Sequence, residues 1–253
     1  MKQTLSLSLA ALAMAPALAS PDVATLLKAA DRYRGGGDAL QVETQVNTFQ
    51  RDGTADKERR YTVFVQPGRK SLVLMRSPAE AGQKVLMLGD DFWLLLPGSQ
   101  RPVRITPSQK LLGDASTGDI ATLSWADDYA GQLAAEGRCP APDDKKPCLQ
   151  LALNATRKGV SYQRITLWIG KARHEPVAAD LYVQSDKLAK QARFVMDQPA
   201  SVTAAPTQVS EMVLRDQLSN HKETRVRYLS RANRQVPETW LNPMFLAKNP
   251  ALE

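Results

Sequence analysis

Two cysteines, two histidines and a few pairs of adjacent charges are the residues whose types and spacing could do chemistry in this chain. Cys139 and Cys148 bracket the polar, proline-rich segment CPAPDDKKPC. In an exported protein that pattern reads as a disulfide closing a loop tip, worth roughly 2 to 4 kcal/mol through loop closure. A two-thiol metal site would need a histidine or third cysteine nearby, and none is present, so no metal is assigned. His174 lies in KARHEP and His221 in SNHK, both turn-like, and neither has H-E-x-x-H spacing. The string from Gly113 to Gly118 (GDASTG) has the wrong spacing for a G-x-S-x-G elbow and leads into no clear strand-helix-strand unit. Asp90-Asp91 and Asp127-Asp128 could split their pKa values as an acid/base pair. Neighbours on a strand point to opposite faces, however, and turn or helix-cap duty is the simpler reading. Arg59-Arg60 and Arg225-Val226-Arg227 lack the interleaved exposed aromatics of a single-strand binder, so they read as solvated strand faces and no nucleic acid is expected. No catalytic residue and no cofactor is assigned, and the chain is not read as an enzyme.

The elements that would carry these residues begin with the first nineteen positions. Lys2, the apolar run Leu5 to Leu18 and Ala17-Leu18-Ala19 have the form of a secretory signal peptide cleaved near Ala19. The run is shorter than the roughly twenty residues a spanning helix needs. Residues 20–253 then form one soluble periplasmic domain, with 32 basic against 26 acidic residues and no linker or repeat to divide it. Val23, Leu26, Leu27, Ala30 and Tyr33 fall on one face of a helix over 22–34, stopped by Gly35-Gly36-Gly37. Almost everything later alternates at period two, as in Val42, Thr44, Val46 and Thr48, or Leu149, Leu151 and Leu153, which marks antiparallel strands with one apolar and one wet face. The expectation is a mainly β fold with α: a single large curved antiparallel sheet of about nine to eleven strands in one meander, an unclosed or half β-barrel covered by one or more helices. A second helical or coiled piece is expected between Gly118 and Ala135. Pro199 to Pro206 reads as loop, with strands near Ser210 to Leu214 and Thr224 to Leu229.

The segment Asp90 to Gln109 departs from this alternation. Phe92, Trp93, Leu94, Leu95 and Leu96 leave neither face of a strand polar, so both faces must be covered. A Pro97-Gly98-Ser99 turn follows, and then Arg101 and Arg104 alternate with Val103 and Ile105.

This same stretch carries a resemblance. Pro78-Ala79-Glu80-Ala81-Gly82, Phe92-Trp93-Leu94-Leu95-Leu96-Pro97, Arg101-Pro102-Val103-Arg104-Ile105 and Ser108-Gln109 are similar to the P-x-x-x-G, W-L-Y-L-P, R-V-R-R-I and S-Q series of the outer-membrane lipoprotein-sorting protein family of the LolA-like superfamily. Gly113, Asp119 to Tyr129, Ile165 to Ile169 and His174-Glu175-Pro176 resemble later segments of it, and the likeness runs from about residue 60 to Trp240–Leu246. Leu95 stands where the family has tyrosine, Pro102 and Val103 dilute the paired arginines, and Ser116-Thr117-Gly118-Asp119 replaces a Gly-Ser-Asp-Phe element. The resemblance implies an incomplete antiparallel barrel closed by helices, with an apolar interior that carries acyl chains across the periplasm and no catalytic residues.

The expected ligand is therefore a lipid-modified protein or lipid acyl chain, sheltered at about 0.8 kcal/mol per buried methylene. By strand parity the candidate lining is Val63, Val65, Val85, Met87, Trp93, Leu95, Ile165, Leu167 and Ile169; each serves equally well as plain core, and for Trp93 and Leu95 the doubly apolar strand leaves the parity open. Arg101 and Arg104 are placed at the rim, where an anionic headgroup or partner would meet them. A membrane-protein partner, either an outer-membrane acceptor or a lipid exporter, fits this picture, and the chain is expected to be a monomer. Two other readings stay open: a lipid sensor or accessory subunit of an inner-membrane exporter, and an enzyme on the same scaffold, which would need a polar cluster inside the cavity.

Overall fold

The computed structural model describes residues 22–35, 39–106, 119, 124–198, 207–218 and 222–248. The signal segment, Gly113, Ser116 to Gly118, Ser108-Gln109, Pro199 to Pro206 and His221 lie outside the described residues. Helix α1 spans Val23–Arg32, with the Asp22 carboxylate accepting the Ala24 N–H at 3.3 Å as its N-cap. Leu26, Leu27 and Ala30 are buried, and Val23 and Tyr33 pack against the same core. Gly35 ends the turn at φ +85°, where a Cβ would stand 2.6 Å from Leu40.

Thirteen antiparallel strands follow: β1 Leu40–Phe49, β2 Ala55–Gln66, β3 Lys70–Met75, β4 Lys84–Leu88, β5 Asp91–Leu95, β6 Val103–Ile105, β7 Tyr129–Arg138, β8 Pro147–Ala155, β9 Arg164–Gly170, β10 Pro176–Tyr182, β11 Leu188–Met196, β12 Val209–Asp216 and β13 Glu223–Asn233. They form one unclosed sheet in the order β6-β5-β4-β3-β2-β1-β13-β12-β11-β10-β9-β8-β7. The expected single meander is thus two meanders joined where β1 meets β13, with Leu40 opposite Asn233. Hairpin grammar records pairings between neighbours in sequence; it carries no trace of one between the first and last strands. The helical or coiled piece expected between Gly118 and Ala135 is corrected in its later part: Asp119 is helical and 124–128 are coil and turn, but Tyr129–Arg138 is strand β7. Its alanines and glycines sit at a sheet edge with eight of ten residues exposed, so there was little burial alternation to betray a strand.

The inner face, toward α1, holds the main core, in which the cross-strand row Leu151, Leu167, Ala179, Ala192 and Leu214 is fully buried. On the outer face of β2 to β5 a second core gathers Phe64, Leu72, Leu74, Leu86 and Leu95 beneath the C-terminal residues Trp240, Leu241 and Leu246. Two 3-10 turns, Glu238–Leu241 and Pro243–Phe245, form this strap. Gln66 fastens it by donating to Arg234 O at 2.8 Å, and Lys84 by donating from Nζ to Leu246 O at 3.1 Å. The strap is why strand β5 is apolar on both sides.

Candidate functional site

Register decides which of the sequence-designated residues share a face. Val63, Val85, Met87, Ile165, Leu167 and Ile169 lie in the inner core, and Val65 packs against it. Ile165, Leu167 and Ile169 are 1, 0 and 0% exposed, so in this conformation they touch protein and no open space. Trp93 and Leu95 are a correction. Trp93 pairs with Leu86 and then Leu72 and Phe64 across the outer face, and Leu95 sits in the strap core, so Phe92 and Leu94 are the residues of β5 that look inward. Arg104 shares Trp93's face, pairs with Asp91 and lies 5.8 Å above the indole. Arg101 is exposed in the turn before β6, where its carbonyl accepts the Ser99 hydroxyl. Both arginines stand at one sheet edge, away from the cavity described next. Cys139 and Cys148 form the expected disulfide and, with Val177 and Trp168, a small third cluster.

At one end of the inner core is a cavity of about 50 Å³, lined by Phe92, Trp125, Tyr162, Phe194, Met212 and Leu181 among others. That is room for a few waters; pockets that enclose a drug-sized ligand run to about 300 to 1,000 Å³. Trp125 fills much of this end, edge to face with Phe194 at 5.4 Å and with the Arg34 guanidinium 3.8 Å from its ring centroid. Its position is fixed from α1: the buried Asp31 carboxylate accepts the N–H of Trp125 at 2.7 Å and of Ala126 at 2.8 Å, and the Ser124 hydroxyl at 3.2 Å. Burial raises the Asp31 carboxyl above its ordinary range, opposed by Arg34 and by those N–H donors.

The cavity wall carries the polar cluster that the strand patterns did not show. Lys190 Nζ stands 2.5 Å from Asp119 Oδ2, and the Tyr162 hydroxyl donates to Asp119 Oδ1 at 2.6 Å. The Tyr129 hydroxyl donates to Tyr162 O at 2.9 Å, and burial pushes its pKa upward, keeping it neutral. The resemblance took in Asp119, but nothing local paired it with Lys190, 71 residues away. Lys190 shares strand parity with Ala192 and Phe194 of the inner core, and that alternation was the signal that could have placed it inward.

A third group clasps the two halves of the sheet. Arg69, at φ +60° in the β2–β3 turn, donates to Gly89 O at 3.2 Å and Asp90 at 3.1 Å and pairs with the buried Asp128 just ahead of β7. Burial lowers its pKa, with Arg157 adding to the effect and Asp90 opposing it. Gly159, between β8 and β9, meets the same corner, where an added Cβ would fall 2.3 Å from Asp90 Cβ. The sheet does not close by strand pairing, and this contact brings its ends together instead. His174 lies in the β9–β10 turn at φ +60°.

A family model described as "Uncharacterized protein" matches residues 68–248. No curated protein sequence matches the chain. Among solved structures, the chain is similar to the LolA superfamily protein NE2245 from Nitrosomonas europaea, with 27% identity over 88% of this chain and 98% of that one and a TM-score of 0.76. A DUF1329 family protein from Desulfovibrio piger shares 20% identity over 88% and 98%, with a TM-score of 0.66. A domain described as an outer membrane lipoprotein-sorting protein from Vibrio parahaemolyticus shares 16% over 89% and 98%, also with a TM-score of 0.66. The last two bear on the fold alone.

Proposed function

The chain belongs to the family whose model spans residues 68–248 and to the LolA-like superfamily, and from that premise we propose that it is a periplasmic, non-catalytic carrier of acyl chains, taking lipoproteins or other lipids toward the outer membrane. The observation that carries the reading is the inner face. Thirteen strands turn a continuous apolar surface toward helix α1, and the cavity at its end is walled largely by aromatic and aliphatic side chains. Burying about ten methylenes gains roughly 8 kcal/mol. Separating the Trp125–Phe194 edge-to-face pair gives up about 0.5 to 1.5 kcal/mol beyond its area burial, less than the acyl chain gains. Lys190, Asp119 and Tyr162 satisfy one another, which lets charge sit beside an apolar ligand without acting on it.

Chain expressed with its own N-terminus, purified without detergent and examined by native mass spectrometry is expected to hold lipid, or to take up a lipid-modified peptide. A protein that stays lipid-free and ignores such peptides would overturn the reading. Trp125→Ala, which enlarges the cavity, should strengthen uptake of a fluorescent fatty acid.

An accessory role beside an inner-membrane exporter is favoured by one feature, an outer-face groove of about 660 Å³ lined by Pro140, Trp168, Arg193, Arg215 and Arg225. Stable co-purification with a transporter would move the assignment there.

A further inference from the structure

The two edges of the sheet differ in what they offer another chain. β6 is three residues long, carries Arg104 at its centre and follows Arg101 and Pro102, the latter without an N–H. Short length, proline and charge are how an edge is kept from pairing. β7 has ten residues, no proline, and no charge from Tyr129 to Ala135. Thr156 N–H donates to Asp128 O, and Cys139 N–H donates to Lys146 O. Stepping by two from each end, and allowing for the bulge between Leu133 and Ala135, aims the backbone of Tyr129, Gly131, Leu133, Glu136 and Arg138 away from β8. The Tyr129 N–H is taken by Trp125 O at 2.9 Å. Among the described residues that leaves the amides and carbonyls of Gly131, Leu133, Glu136 and Arg138 as an open row, with Gly131, Glu136 and Arg138 exposed and Leu133 half-buried.

We infer that β7 is an interaction edge whose partner is β7 of a second copy of this chain, joined antiparallel about a two-fold axis between Ala134 and Ala135. In that register Gly131 faces Arg138 and Leu133 faces Glu136 of the other copy, so all four outward residues pair with outward residues and none is left over. The bulge of one copy meets the bulge of the other. No like charges oppose, because Glu136 and Arg138 each face an uncharged residue. The dimer departs from the monomer expected of the sequence and does not depend on what the cavity carries.

Ala134 and Ala135 are exposed and face each other across the proposed axis, which makes them the test. By light scattering and native mass spectrometry the intact chain is expected to dimerise with concentration. Ala134→Lys with Ala135→Lys sets lysine against lysine twice and should raise the dimer dissociation constant at least about tenfold. Ala134→Lys with Ala135→Glu sets opposite charges together and should restore it. In the dimer, hydrogen exchange at the Gly131, Leu133, Glu136 and Arg138 amides should slow relative to dilute protein. A monomer at all concentrations, or a dimer indifferent to both double variants, would overturn the inference.

Discussion

The outer faces of the two halves of this sheet are built on opposite terms. Over β2 to β5 the outer face is a second core, with Leu72 and Leu86 fully buried beneath Leu241 and Leu246. Over β11 to β13 it is a wet lattice, where Glu223 bridges Arg215 at 3.2 Å and Arg225 at 2.8 Å, and Arg227 pairs with Glu211 at 2.7 Å. One face is held by removing apolar area from water, the other by screened charge. The first half therefore depends on a segment distant in sequence, while the second is stitched by cross-strand neighbours.

Substitutions that move this contrast can be ranked by urea denaturation. An ion pair of the wet lattice's kind becomes costly to break once buried: Lys190→Met, which strands Asp119 inside, should lose about 3 to 5 kcal/mol. Leu246→Ala in the strap should cost about 2 to 4 kcal/mol, since its fully buried side chain leaves a cavity over β2 to β5. Opening the disulfide with Cys139→Ala and Cys148→Ala should cost roughly 2 to 3 kcal/mol relative to the natural chain, and reductant should destabilise the natural chain but not the variant. Glu223→Gln on the wet face should cost less than about 1 kcal/mol and fade in high salt.

The pH dependence of that last residue has a definite sign. Burial works to raise the Glu223 carboxyl, but Arg225 and Arg215 outweigh it and hold the group below its ordinary value of 4.5. Its contribution is present above that value and is lost as pH falls through the lowered folded value. The difference in stability between the natural chain and Glu223→Gln should therefore narrow in acid, not in base. A difference that grew on acidification would mean the arginines do not stabilise the ionised form.

Much of the fold was legible because it is local. Alternation placed β1, with Leu40, Val42, Thr44, Val46 and Thr48 all buried and their neighbours partly exposed, and it placed the strands around Leu151 and Leu167. Helical spacing gave α1, and the polar loop between two cysteines gave the disulfide. β5 was legible only as a puzzle. Its five apolar residues announced two covered faces, but not that Trp93 looks outward to the strap while Phe92 looks in. The polar cluster was not legible as a cluster: Asp119, Lys190 and Tyr162 are far apart along the chain, and their meaning comes from being brought together.

By itself the sequence determined the antiparallel β character, the helix with its buried stripe and the demand that Phe92 to Leu96 be covered twice, because side-chain periodicity and turn chemistry act over a few residues. The tertiary structure decided the rest. Pairing β1 with β13 put the chain's two meanders side by side, the strap chose the outward face of β5, and the Arg69–Asp128 clasp drew the two halves together. It also left β6 blunt and β7 open. Each of these joins residues far apart along the chain, and such contacts are selected by the burial and hydrogen bonding of the whole sheet, which no local window of sequence contains.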